Sequence, residues 1–511
     1  MGVWLSDLGF VYGNPFAHVE ADRERAFLPR FFVPVAGYDH IAGNDTVVVF
    51  APRGSGKSAL RVMLASECAP QDARGSLLAV EFTNFDILSQ KQARGEPILI
   101  DDYVVRLLQA AVRGFWQVLD GPSQQAIANK TDTAYRLERA RSISPAGRTL
   151  LTRFVAMYYP ELLYPAGLHR WFCQMDAGFA LSLEDVAEAV TERCLRQRLA
   201  ATALAAQPLA LLLAEMSDLR EMAMTPAGEP REELAGFVQL VQEAGIVAVH
   251  FLIDRLDENE ITVNNPEAQA DILEPLLANL PVLELPGTAF KFFLAQETHE
   301  VLTGRWSFRL DRLRTQAPVT VRWDRAQLAA LLNARINVYS DGRYEEFVML
   351  WAGQAPAGQI EQEMLDLALG SPRRLLTAGQ LLFEVHFEGE TDGPPTLASW
   401  EIAKTKLLQR LPPPLCWRVV EQTLWLGENR IKLSKQEMKI VAVLVDHAGR
   451  CTREELINGV WGEDEFDTSD EALTAAMKRL RAKLGHPAIA DRYLRTEPGR
   501  GYALINYELS E

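Results

Sequence analysis

The stretch that most constrains this chain is VVVFAPRGSGKSALRVML, Val47 to Leu64. Four apolar, β-prone residues run into a short loop holding Gly54 and Gly56, and a helix-compatible segment follows at once. That order asks for a buried strand that turns directly into a helix N-terminus. The glycines permit positive φ and let the backbone approach a ligand closely. Several N–H groups then converge on one point at the helix start, where the helix dipole also favours an anion. The octet APRGSGKS, Ala51 to Ser58, has the spacing of a phosphate-binding loop, with Ala51 where glycine is usual. Alanine is tolerable there if the position needs no glycine-only dihedral. In such a loop Arg53, Gly54, Ser55, Gly56, Lys57, Ser58 and Ala59 would surround the phosphates of ATP. Lys57 would reach the β- and γ-phosphates and Ser58 would place its hydroxyl on Mg²⁺.

A loop of this kind needs a second acid for the magnesium shell, and VAVHFLIDRLDE, Val247 to Glu258, offers it. An apolar strand ends in Asp254, positioned to hold Mg²⁺ partly through water. Asp257 and Glu258 follow as the catalytic candidates, with Glu258 the first choice for orienting an attacking water. His250 lies inside the apolar run and reads as a satisfied core histidine.

A strand ending in Asp-x-apolar-Asp-Glu resembles the second motif of STAND-type P-loop ATPases, signal-transducing relatives of the AAA+ class. GSPRRLL, from Gly370, is similar to the sensor-2 motif of the same proteins. The resemblance implies that Arg373, with Arg374 as its rival, reaches the γ-phosphate from a helical lid, where a cation can tell ATP from ADP. It also suggests Gln296 or Thr298 as a sensor-1 residue. Arg309, Arg312 and Arg314 are candidates for a finger given to a neighbouring subunit, though solvated surface is the better reading of those three. The segment NPFAHVEADRERAFLPRFFVP resembles the one that borders adenine in such ATPases.

The expected fold class follows. Short apolar strands at Val47–Phe50, Leu77–Phe82, Ile246–Ile253 and Phe290–Leu294 are separated by helical patterns, which argues for an α/β P-loop NTPase core with a parallel sheet. A helical insertion is expected over about 101–244, inside an ATPase domain of 1–322. A helical lid domain covers 323–410. The segment LPPPL, 411–415, breaks the helical pattern, and a C-terminal winged helix-turn-helix covers 416–511. The chain of 511 residues is long enough for such a division. Its five cysteines have no paired metal-ligand spacing, which fits a reducing cytoplasm rather than a zinc site or disulfide framework. Residues 199–216 are apolar but interrupted by Gln207 and Pro208, so a buried helix pair is expected there and no membrane span.

The last segment resembles the winged-helix domain of OmpR/PhoB-type response regulators. Three blocks occur in order: a helix beginning near Ser434, TREELINGVWG, and DEALTAAMKRLRAKL followed by YLRTEPGRGYAL. In the third block Leu473, Met477, Leu480 and Leu484 share one helical face and are expected to pack inward. Thr474 and Lys478 face outward, with Arg479, Arg481 and Lys483 beside them, which suits a helix entering the major groove of double-stranded DNA. Arg495 and Arg500 would hold the backbone or reach the minor groove from the wing. Ala475 and Ala476 stand where the family usually carries polar residues, which weakens base readout. The net charge of −16 means that DNA contact needs a local basic face.

Taken together these residues imply a prokaryotic, cytoplasmic, nucleoid-associated regulator in which MgATP, slowly hydrolysed, sets self-assembly into a homo-oligomer and so DNA binding. The alternatives are an AAA+ initiator-like ATPase that remodels or loads onto DNA, and a defence or signalling hub whose winged helix binds protein.

Overall fold

The computed structural model describes residues 3–510 apart from 69–75, most of 121–228 (a few positions between 143 and 158 are kept), 311–317, 352–355, 390–392, 427–428, 448, 463–465, 485–489, 498 and 500. The chain divides into two compact units. One comprises His18–Val338 with Gly370–Pro372, and the other Met1–Ala17, Tyr339–Leu369 and Arg373–Glu511.

The first unit is built on a five-stranded sheet of β1 (Val47–Ala51), β2 (Ser76–Phe82), β3 (Ile246–Ile253), β4 (Thr288–Ala295) and β5 (Val319–Thr320). The order is β2-β3-β4-β1-β5 and every pair is parallel. Parallel neighbours cannot be joined by a hairpin, so helices cross over between them and cover both faces. Strand alternation splits the side chains between two cores. Val47, Val49 and Ala51 join Leu60, Leu64 and Phe293, whereas Val48 and Phe50 join Leu78, Val80 and Phe251. On the first side lies α1 (Lys57–Cys68), and on the second lie α2 (Ile100–Asp120) and α3 (Pro230–Glu243). These last two bound the expected helical insertion, most of which lies outside the described residues. The topology sets the carboxyl ends of β1 to β4 along one edge, the edge where open parallel sheets take their ligands.

His250 departs from the sequence expectation. It is buried and its Nδ1 lies 3.9 Å from Cys68 Sγ, but its Nε2 has no hydrogen-bond partner among the described residues. Burial, helped by the charge of Lys291, pushes its pKa down to about 4, so the ring stays neutral.

The second unit contains α4 (Pro356–Ala368), α5 (Pro372–Glu388, from Arg373 on) and α6 (Leu397–Arg410). Trp400 and Lys404 of α6 both donate to Glu363 of α4, at 2.9 and 2.8 Å. The Lys404 bond, then those of Trp400 and Gln359, draw the Glu363 carboxyl down to about 2. The first residues of the chain supply Trp4 and Phe16, which pack on Phe383 of α5.

The remainder of this unit starts with β6 (Leu415–Arg418), β7 (Thr423–Leu426) and β8 (Asn429–Ile431), joined at the other edge by β12 (Tyr507–Ser510). Three helices follow β8: α7 (Lys435–Asp446), α8 (Arg453–Trp461) and α9 (Phe466–Leu484). A small sheet of β9 (Arg450–Cys451), β10 (Leu494–Glu497) and β11 (Gly501–Leu504) completes the domain, with β10 and β11 antiparallel. Both α7 and α8 open on complete capping boxes, Ser434 with Glu437 and Thr452 with Glu455, which fix where these helices start. Gly501, at φ +116°, passes so close to the Cys451 carbonyl that a Cβ would stand 2.2 Å from it, so only glycine fits this crossing.

Candidate functional site

At the carboxyl end of β1, Gly54 and Gly56 have φ of 83° and 90° while Ala51, the last strand residue, has no positive φ. The alanine therefore meets no conformational demand for glycine. The outward carbonyls of the loop are held from behind. Trp323 Nε1 donates to the Ser55 carbonyl at 2.9 Å and Ser371 Oγ to the Gly54 carbonyl at 3.3 Å. These bonds fix two carbonyls of the loop, and the Ser55 N–H donates within the turn to the Pro52 carbonyl at 3.2 Å. Ser55 and Lys57 are buried, and Ser58 and Ala59 are half-buried. The Lys57 ammonium contacts Asp257 Oδ2 at 3.1 Å and the Ala51 carbonyl at 3.5 Å. Arg53 crosses to the same turn, donating to the Asp257 carbonyl at 2.9 Å and to Asn264 Oδ1 at 3.0 Å. Burial pushes the Asp257 carboxyl up, but Lys57 and Arg53 outweigh it and hold the group below the usual carboxylate range.

Beside this pair lies a second charge cluster that sequence reasoning missed. Arg61 of α1 is 2% exposed and binds three carboxylates: Asp254 at 3.0 Å, Asp22 at 2.6 Å, and Glu81. Arg25 pairs with Asp22 and Glu81, and Arg255 pairs with Asp22. Three arginines thus match three acids, Glu81 and Asp254 at the ends of β2 and β3 and Asp22 in the helical turn Ala21–Glu24. The signal was present in EADRER and in Arg61 itself, one helical turn after Lys57, but nothing in the spacing says that a helix arginine reaches a strand tip.

The loop fits a phosphate group in its positive-φ glycines, its buried ammonium and its helix N-terminus. The acid expected to serve Mg²⁺ does not fit as it stands: Asp254 is 1% exposed and already answers Arg61. Glu258 is exposed, and its carboxylate lies 3.7 Å from Arg255. Among the described residues no group of His, Cys, Asp and Glu side chains is arranged to hold a metal ion. Of the two sensor-2 rivals, Arg373 is exposed. Arg374 is buried and donates to the Leu367 and Leu411 carbonyls, so it ties α5 to the segment that precedes β6. Thr298 is buried against Gln269, and Gln296 is half-buried at the end of β4. Arg312, Arg314 and the side chain of Arg309 lie outside the described residues.

On the winged helix, Leu473, Met477, Leu480 and Leu484 of α9 are buried, with Ala476 beside them. Ala476 therefore belongs to the inner face, and Thr474, Ala475 and Lys478 are exposed. Arg453 of α8 donates to Thr474 Oγ1 at 3.1 Å. Arg481 is braced against the wing: its Nε donates to the Leu494 carbonyl at 3.1 Å and its Nη2 to Thr496 Oγ1 at 2.7 Å. Lys483 turns inward, to Glu437 at 2.6 Å and the Lys432 carbonyl at 2.8 Å, and Arg479 lies 3.9 Å from Glu437. Burial pushes the Glu437 carboxyl up, but Lys483 and the Ser434 cap outweigh it and hold it below its usual range. Arg495 is exposed on β10, and Arg500 lies outside the described residues. A cleft of about 490 Å³ runs between α9 and the wing, lined by Arg481, Asp491, Arg492, Arg495 and Thr496. Arg492 was not singled out from the sequence. It adds a third guanidinium to the cleft while donating to the Arg410 carbonyl.

Among the described residues no helix is long and apolar enough to cross a membrane. Residues 199–216, where the sequence suggested a buried helix pair, are outside them.

Comparison with known proteins bears on the C-terminal end. Residues 427–504 match the family of the transcriptional regulatory protein C-terminal domain. The cholera toxin homolog transcriptional activator of Vibrio parahaemolyticus is 34% identical over 80 residues, 16% of this chain and 27% of that protein. The regulatory protein VanR of Enterococcus faecium is 27% identical over 81 residues, 16% of this chain and 35% of VanR. The response regulator protein GraR of Staphylococcus haemolyticus is 38% identical over 77 residues, 15% and 34% of the two chains. The chain thus spans about a quarter to a third of the length of these curated relatives. Among solved structures, the Aeropyrum pernix ORC2 protein in its ADPNP–ADP complexes aligns over 96% of this chain and 90% of that one, with a TM-score of 0.34 and 10% identity, too slight a likeness to carry weight. Residues 427–504 are therefore a winged-helix domain of the OmpR/PhoB type, joined in one chain to a five-stranded parallel α/β core.

Proposed function

We propose that the chain is a nucleotide-dependent DNA-binding regulator of transcription, a STAND-type ATPase that acts in the cytoplasm. The winged helix binds duplex DNA and the glycine loop binds ATP. The occupied loop favours an arrangement of the chain that self-assembles, so that several weak DNA contacts act as one. The observation that carries the reading is the cleft of Arg481, Arg492 and Arg495 beside the exposed face of α9, in a domain of the transcriptional regulatory type. It is a basic face on a chain of net charge −16, the local exception that DNA binding requires. Thr474 and Lys478 enter the major groove, while Arg481, Arg492 and Arg495 hold backbone phosphate. Lys483 and Arg479 steady the domain through Glu437. In the other unit Lys57 and the loop N–H groups hold the nucleotide phosphates, and Glu258 orients water for slow hydrolysis.

Genome-wide footprinting of the parent and of Lys57→Ala, each with and without ATP, tests this. The parent should protect a small set of discrete sites whose occupancy changes with ATP, and Lys57→Ala should lose the ATP response alone. Absence of salt-sensitive DNA binding would contradict the regulator reading. ATP-driven duplex melting would favour the initiator-like alternative.

A further inference from the structure

Two carboxylates three residues apart at the end of β3 stand in different circumstances. Asp254 is 1% exposed and its partner Arg61 is 2% exposed. Arg61 also serves Asp22 and Glu81, which are half-buried, so the guanidinium is held on three sides by acids while itself sealed from solvent. A divalent cation placed on Asp254 would sit against this buried guanidinium, where little water screens the repulsion. Asp257 instead pairs with two loop cations, Lys57 at 3.1 Å and, farther off, Arg53 at 3.9 Å, and Lys57 is the one whose work is to meet the β- and γ-phosphates. Its turn is fixed to the loop through the Arg53 bond to the Asp257 carbonyl, so the carboxylate stays beside the phosphate position even when its partner leaves.

We propose that Asp257, and not Asp254, is the carboxylate that responds to nucleotide. Asp257 holds Lys57 as a phosphate would, gives it up when phosphate arrives, and then faces the magnesium ion, while Asp254 remains committed to Arg61. This rests on the nucleotide-binding reading above. It follows from simple charge matching. One ammonium cannot serve a carboxylate and a phosphate equally well, and the carboxylate left beside phosphate oxygens needs a cation between them. Magnesium commonly bridges a carboxylate and phosphate in this way. Asp257 therefore has two opposed effects on the nucleotide, as a competitor without magnesium and as a ligand with it.

The test is a titration with a fluorescent N-methylanthraniloyl analogue of ATP, in magnesium and in EDTA, for the parent, Asp257→Asn and Asp254→Asn. Asp257→Asn should bind the analogue in EDTA about tenfold more tightly than the parent, because the competing charge is gone, and should gain nothing from magnesium. Asp254→Asn should melt at lower temperature and keep the parent's gain from magnesium. The proposal is overturned if Asp257→Asn matches the parent in EDTA or retains the magnesium gain. If Asp254→Asn does not fold, Asp257→Asn still decides, since its site is a turn outside the sheet. A parent that binds no analogue in either buffer would instead overturn the nucleotide-binding reading itself.

Discussion

Around the glycine loop, Lys57 and Arg61 are each matched by carboxylates of their own unit, and the arginine is sealed from solvent. On the winged helix, Lys478 and Arg495 face outward, and Arg481 is braced mainly by a carbonyl and a hydroxyl, with the exposed Asp491 at 3.8 Å. The first region must exchange partners before it can take an anion. The second offers its cations ready. That difference suits a chain in which the loop is a switch and the winged helix a standing grip of modest strength.

The largest effect on DNA binding should come from removing that ready grip. Arg481→Ala with Arg495→Ala should weaken duplex binding by about a hundredfold and reduce the salt slope by about 2, with nucleotide affinity unchanged. Anisotropy of a labelled duplex across a salt series measures both. Breaking the sealed cluster should act on stability instead. Arg61→Met leaves Asp254, Asp22 and Glu81 without their shared partner and should cost about 3–5 kcal/mol, read from chemical denaturation. Lys478→Ala, the exposed counterpart, should leave stability within about 0.5 kcal/mol of the parent.

Glu437 is the place where the winged helix behaves like the loop region. Glu437→Gln weakens a capping box and the Lys483 pair together, and should cost about 1–2 kcal/mol. Its folded-state pKa lies below its ordinary 4.5, so the unfolded chain takes up the proton first as pH falls. The contribution of Glu437 is therefore complete above pH 4.5 and lost as pH falls through the lowered value. A pH series of melting curves should be flatter for Glu437→Gln over that range. A smaller effect, on nucleotide binding, belongs to Trp323. Trp323→Phe removes one hydrogen bond to the Ser55 carbonyl and should weaken nucleotide binding about fivefold, near 1 kcal/mol, without unfolding the chain.

Much of the framework was legible because it rests on periodicity and punctuation. The apolar runs gave β1 to β4, Gly54 and Gly56 marked the loop, and the spacing of Leu473, Met477, Leu480 and Leu484 set the inner face of α9. What the sequence hid were long-range pairings. Nothing local announces that Arg61 reaches Asp254, that Lys483 turns in to Glu437 of another helix, or that Arg492 joins the cleft. Each depends on two elements meeting in space, and a single arginine or lysine looks the same in sequence whether it meets an acid or water. His250 shows the complementary failure: an apolar run correctly placed it in the core but could not say that one ring nitrogen would find no partner among the described residues.

The most direct measurement is the affinity of the full chain for one of its own footprinted duplexes, at a single salt concentration, with no nucleotide, with ATP and with ADP. If the loop governs the winged helix, the dissociation constant should change by at least about tenfold between ATP and the other two conditions, and Lys57→Ala should give one value throughout. Equal affinity of the parent in all three would contradict the coupling and leave two regions that share a chain without sharing a function.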